Sequence, residues 1–134
     1  MANIKRAIIN RLDADTGIAA LVGKNIYSII GRQKTKFPQI VVKFGGQEFR
    51  LALGGKVLNP TTTSLIISII SNDSDEVETI ADLVIQSLLN KSGTWDGVVV
   101  QGVFHTGTDE NIESPTPELN VIVRDITFDF KHNL

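Results

Sequence analysis

The sequence predicts an α+β fold: a mostly antiparallel sheet with an N-terminal helix and one long amphipathic helix packed on one face. Three observations carry this. Apolar residues recur at helical spacing near the N-terminus and again from Val77 to Leu89, β-branched or alternating runs fill the remainder, and the order helix, strands, helix, strands lacks regular βαβ alternation. The 134 residues suit one domain spanning 1–134, which buries on the order of 65 to 70% of its unfolded surface. No internal linker or repeat divides the chain.

Ile4, Ala7, Ile8 and Leu12 fall on one helical face, Ile9 broadens it, and Lys5, Arg6 and Arg11 lie elsewhere on the turn, so Asn3 to Ala14 is expected to be an amphipathic helix. Asp15-Thr16 caps a short second helix through Ile18, Leu21 and Val22, and Gly23 is placed to end it. From Ile26 to Phe44 the chain reads as extended, because Pro38 is excluded from a helix interior and Ile40, Val41 and Val42 are β-branched. Gly45-Gly46 and Gly54-Gly55 bracket Gln47 to Leu53, where Phe49, Leu51 and Leu53 alternate with Glu48, Arg50 and Ala52. This stretch is a short strand between flexible turns or a long mobile hairpin. The run Leu65 to Ile70 predicts a central strand covered on both faces.

Asp73 as N-cap with Glu76 three residues on matches a capping box, and the stripe Val77, Ile80, Ala81, Val84, Ile85, Leu88 and Leu89 predicts the long helix. Asn90 to Gly93 supplies its stop. Val98 to Phe104 reads as a strand, Thr106 to Pro117 as a polar loop, and Glu118 to Lys131 as a final strand or hairpin arm in which Ile122, Ile126, Phe128 and Phe130 share one parity.

Composition narrows the function classes. A formal charge of −2 gives no global attraction to nucleic acid or acidic lipid. The absence of cysteine removes disulfides, thiolate metal sites and a thiol nucleophile together, and fits a reducing compartment. Asn10, Arg11 and Asp13 interrupt the apolar stretch a signal peptide needs, and no apolar run reaches the roughly 18 residues of a membrane span. A cytosolic site of synthesis, without membrane association, is expected.

The search for chemistry returns little. His105 and His132 lack the further ligands at recognisable spacing that a zinc centre needs, so each is read as structural or solvated. Asp73, Asp75, Glu76 and Glu78 do not follow the calcium-loop pattern, and helix capping explains them. Gly54-Gly55-Lys56 lacks the spacing of a phosphate cradle, and Arg32, Lys34 and Lys36 lack the interleaved aromatics of a single-strand binder. Trp95 is a core plug or an interface anchor. Asp109, Glu110 and Glu113 form either a solvated loop or an acidic partner contact. No catalytic, cofactor or metal residues are assigned, and the chain is not expected to be an enzyme.

The order of several short motifs is nevertheless informative. An N-terminal amphipathic helix precedes Thr16-Gly17-Ile18-Ala19-Ala20-Leu21-Val22-Gly23, then Asn25-Ile26-Tyr27, then Phe37-Pro38-Gln39-Ile40-Val41-Val42. The apolar strand Leu65 to Ile70, the helix Val77 to Leu89 and the strand Arg124-Asp125-Ile126-Thr127-Phe128-Asp129-Phe130 follow. Across nearly its whole length the chain resembles the tail completion or tail terminator proteins of long-tailed bacteriophages, also found in gene transfer agents. It departs from the pattern in the long, Gly-rich stretch Gly45 to Thr63.

That resemblance implies a virion structural protein assembled in the host cytoplasm. Its copies would form a ring, commonly of six subunits, that caps the head-proximal end of the tail tube, stops its growth and joins the tail to the capsid connector. DNA would pass through the lumen without sequence-specific binding, and no cofactor is implied. The partners would be the chain itself, the tail tube protein and the connector protein. The stretches Gly45 to Thr63 and Thr106 to Pro117 are the expected contact surfaces, with Phe49, Arg50, Lys56, Asp109, Glu110 and Glu113 as candidate interface residues. The alternatives are a small ligand-binding or enzyme domain with a pocket between long helix and sheet, or another phage ring component such as a stopper or tube protein.

Overall fold

The computed structural model describes residues 3–23, 25–27, 37–55, 57–116 and 119–133. Its helices begin where side-chain acceptors meet free backbone N–H groups. Asn3 accepts from the Arg6 N–H at 3.0 Å to start α1, Ile4–Ala14. Asp15 accepts from the N–H groups of Gly17 and Ile18 to start α2, Thr16–Val22, which ends on Gly23. Asp73 caps α3, Ser74–Leu88, by accepting from the Asp75 N–H at 3.0 Å. The reciprocal half of the expected capping box differs. The Ser71 hydroxyl stands between its ends, accepting from the Asp73 N–H at 3.1 Å and donating to Glu76 Oε1 at 3.2 Å.

The described residues also form six strands: β1 Ile26–Tyr27, β2 Gln39–Leu51, β3 Val57–Ser71, β4 Gly93–Trp95, β5 Val98–Thr116 and β6 Leu119–His132. They form one curled sheet in the order β1-β2-β3-β6-β5-β4, antiparallel except where β1 lies parallel to β2. The central pair, β3 with β6, runs from Thr61 opposite His132 to Ser71 opposite Ile122.

Alternation decides what this pair buries. Leu65, Ile67 and Ile69 of β3, with Ile126, Phe128 and Phe130 of β6, are fully buried on one face beside Ile40 and Val42 of β2. The apolar stripes of α1 and α3, including Ile8, Leu12, Ile80, Val84 and Leu88, close this core. All helices in the core cluster therefore cover the same face, and β3 is not the doubly covered strand the run suggested. On its other face Ile66 and Ile70 stay half-buried, while Ser68 is buried and donates to Asp125.

One expected turn and one expected loop are strand. The glycines at 45 and 46 do not turn the chain; they form a bulge within β2, where Gly46 has φ 127° and the Phe44–Gly46 step shifts the register against β3. A side chain at Gly45 would meet the Ser64 carbonyl oxygen at 3.1 Å. The chain reverses instead at Ala52–Gly55, where the Gly55 N–H donates to the Ala52 carbonyl at 3.0 Å. Thr106 to Thr116 likewise continues β5 against β6, with bulges at His105/Gly107 and Glu113/Thr116.

Removing a large ring from the centre of this core leaves a cavity between sheet and helices. Phe128→Ala should lower unfolding free energy by about 3–5 kcal/mol in denaturant titrations, whereas Asp73→Ala, which removes one cap, should cost about 1 kcal/mol.

Candidate functional site

The registers place the two hairpins at opposite ends of the sheet. β6 stops pairing with β3 at Thr61, so the β2–β3 hairpin from Phe49 through Pro60 projects past that end. Pro60 is tolerated there because it lies beyond β6 and within an irregular step, in which Glu48 faces Thr62 but Arg50 faces Leu58. At the other end β3 finishes at Ser71, and β5 and β6 continue past it, with Glu113 opposite Val121 and Thr116 opposite Leu119. Each end of the sheet thus carries one arm beyond the helix-covered core.

Of the sequence-predicted residues, Phe49 and Arg50 lie on the first arm and Glu113 on the second, while Asp109 and Glu110 lie within the span where β3 pairs with β6. Phe49 is exposed on β2, in company with Phe44 at 58%, Leu51 at 63% and Leu53, which is wholly exposed. Arg50 pairs through its backbone with Leu58, and Lys56 lies outside the described residues, as do Arg32, Lys34 and Lys36. Asp109 and Glu110 are exposed on β5, Asp109 directly opposite Asp125 and Glu110 opposite Arg124. Glu113 lies farther along the same strand. Exposed Phe104 and Ile112 belong to this strand as well.

The remaining candidates for chemistry are occupied structurally. His132 is buried, with Nε2 2.7 Å from Thr63 Oγ1, which accepts from Gln47 Nε2 at 2.8 Å. Its Nδ1 lies 3.0 Å from the Asn133 carbonyl, which can only accept; in the neutral ring the proton therefore sits on Nδ1 and Nε2 accepts from Thr63. His105 lies on the surface against Thr108 Oγ1 and packs edge-on to Phe128. Among the described residues no group of three or more His, Asp or Glu side chains could hold a metal ion. Trp95 is the core plug, buried beneath the Arg11 guanidinium, which stacks 4.1 Å from its ring.

A cavity of about 480 Å³ lies beside that stack, bounded by α1, the end of the long helix α3 and the β4–β5 turn. Its polar groups are bonded to one another: Asn10 donates to Asp96 at 3.1 Å, and Arg11 Nε donates to the Ser87 carbonyl at 3.2 Å. These groups do not converge on a point where a substrate atom would sit.

Sequence reasoning missed Arg124. It shares the parity of Ile122, Ile126 and Phe128, so a cation stands on the apolar face and needs partners there. It finds Glu78 of α3 and, at 2.7 Å, Glu110 of β5, tying helix to strand. The guanidinium holds the Glu78 carboxyl below its usual pKa, first through the hydrogen bond and then through charge, and the Arg124 pKa is raised in turn, mainly by the Glu78 hydrogen bond. Because the folded-state pKa of Glu78 is the lower one, its stabilisation is present above the unfolded pKa and disappears as pH falls through the folded value. Glu78→Gln should therefore lower Tm slightly at neutral pH, since the pair is exposed. The gap to wild type should vanish at acid pH. A gap that persists at the acid end would exclude the ion pair as its cause.

No family model and no curated protein matches the sequence. Among solved structures, the fold is similar to that of a chain from the virion of a native gene transfer agent particle, with a TM-score of 0.72 and 16% identity over 96% of this chain and 93% of that one. At that identity the likeness establishes a shared fold over nearly the whole of both chains.

Proposed function

We propose that this chain is a non-enzymatic virion structural protein that forms a closed ring at the head-proximal end of a phage-type tail tube. There it ends tube growth and joins the tail to the capsid connector. The observation that carries the reading is the pair of arms leaving one sheet from opposite ends, on a fold shared end to end with a virion chain. A joining ring needs two different axial surfaces, one for the tube and one for the connector. An arm at each end provides them, and the arms differ: Phe49, Leu51 and Leu53 make one apolar, while the other carries Glu113, with Asp109 and Glu110 on β5 below its base.

The order of motifs along the chain supports the same reading, since it follows that of tail completion proteins from α1 to β6. The 134 residues act in it as one unit. The ring has a defined number of copies, commonly six in such assemblies, and its contacts with tube and connector are heterologous. DNA passes through the lumen without sequence-specific contact, in keeping with a net charge of −2. The work of such a protein is positional, so the absence of convergent polar groups in the cavity beside Trp95 fits it better than a ligand-binding role.

Light scattering across a concentration series, alone and with isolated tail tubes, tests the proposal. A discrete ring, or stable binding confined to tube ends, is the expected result. Open stacks of rings would identify a tube protein instead, and a monomer indifferent to tubes would favour ligand binding. Leu51→Ser with Leu53→Ser on one arm, and Ile112→Ser on the other, should leave stability within about 0.5 kcal/mol. Each arm's variants should abolish attachment to a different axial partner.

A further inference from the structure

Arg11 is fixed on two sides and open on a third. Its Nε donates to the Ser87 carbonyl at 3.2 Å and its guanidinium lies 4.1 Å above the Trp95 ring, so α3 and β4 together set the plane of the group. Among the described residues, none forms a hydrogen bond or ion pair with either Nη group. Those two nitrogens carry the remaining donors of the guanidinium fork, and Arg11 lines the cavity of about 480 Å³ between α1, the end of α3 and the β4–β5 turn.

Two carboxylates line the same cavity, and neither pairs with Arg11. Asp15 Oδ1 accepts from the Gly17 and Ile18 N–H groups, and Asp96 Oδ2 accepts from Asn10 at 3.1 Å. A cation that served only to cover Trp95 would be at liberty to turn toward Asp15, one helical turn along. The Ser87 carbonyl and the indole instead hold it where its forked edge stays open.

We infer that this edge receives a carboxylate side chain of an assembly partner, seated on the two Nη groups within the cavity. The inference rests on the reading of the chain as an assembly protein and adds a contact surface apart from the two arms.

Geometry supports it. A guanidinium whose plane is already set offers two parallel N–H donors to the two oxygens of a carboxylate, and less rotamer freedom is lost when they meet. Arg and Trp are the side chains that most often dominate a protein contact, above all where they stand together in a recess that excludes water. Such a contact needs one directional pair of bonds in a packed surface. It does not need the convergent set of polar groups that a substrate requires.

Charge then selects the kind of anion. Arg11 with Asp15 and Asp96 leaves the lining at −1, so a phosphate or a nucleic-acid backbone meets two carboxylates for each guanidinium. A single Asp or Glu flanked by Lys or Arg on the partner's surface meets the least repulsion and is the fitting occupant.

Chemical footprinting tests this. A dicarbonyl reagent condenses with both Nη groups of an arginine, so it should modify Arg11 in the isolated chain. In rings, or at tail-tube ends, that modification should fall by about tenfold or more, as for a contact at the centre of an interface. Inorganic phosphate should not protect the isolated chain; if it does, the site takes anions of any kind and the inference fails. Arg11→Lys, mixed as a minority into wild-type assemblies and treated with carbodiimide, then identifies the group opposite. The introduced amine should form an amide with an Asp or Glu of a second molecule, located by mass spectrometry. Exclusion of a folded Arg11→Lys chain from the assemblies also supports the contact, because an ammonium cannot make the paired bonds. Incorporation without an intermolecular amide at that position overturns the carboxylate as occupant. Arg11 that reacts equally before and after assembly overturns the contact and leaves the ring reading standing. A chain that stays monomeric with and without tubes overturns both.

Discussion

The antiparallel pairing of β3 with β6 is the constraint on which the rest depends. Leu65, Ile67 and Ile69 stand on the same face as Ile126, Phe128 and Phe130, and α1 and α3 pack against that face. A slip of one residue would turn this entire set away from the helices, so burial holds the register. Once it is held, β2 and β5 are positioned on either side, and the distances by which they overrun the central pair become fixed lengths of projecting hairpin. The arms are cantilevers on a rigid base rather than loops attached to it.

The arms obey different physics from the base. Beyond the core their ladders are held by backbone hydrogen bonds, as where Arg50 pairs with Leu58 and Glu113 with Val121. Net hydrogen bonds of this kind contribute about 1 kcal/mol each, so the arms belong to the part of the molecule that opens most readily. Below the base of the β5 arm, Arg124 links Glu110 to Glu78 on α3, a long-range tether from strand to helix.

This division explains what was legible in the sequence. Wherever apolar residues meet a buried face the periodicity shows it: the stripe of α1, the stripe of α3 and the shared parity of β6 all correspond to core contacts. Capping by Asn3, Asp15 and Asp73 follows from short-range chemistry, although the Ser71 hydroxyl replaced the direct reach of Glu76. The continuation at Thr106 to Thr116 left no apolar alternation because it does not lie on the core, and the glycines at 45 and 46 masked the continuity of β2. Their Gly, Thr, Asp and Glu residues read as loop, and only partner strands far along the chain make them β. Arg124 could have been found, since a single cation within the parity Ile122, Ile126 and Phe128 requires an acidic partner.

The candidate interface was the least legible part for a related reason. Residues that serve chemistry announce themselves by convergence within one chain, but residues that serve assembly converge only on another copy or another protein. Phe44, Phe49 and Phe104 lie outside the core, and exposed aromatics on strands are an aggregation hazard for a chain that works alone. A heterologous contact that closes on itself turns that hazard into a finite structure, because rotation returns the last free edge to the first. In such a contact unlike composition matters as much as apolar content, since like charges set opposite one another disfavour self-pairing.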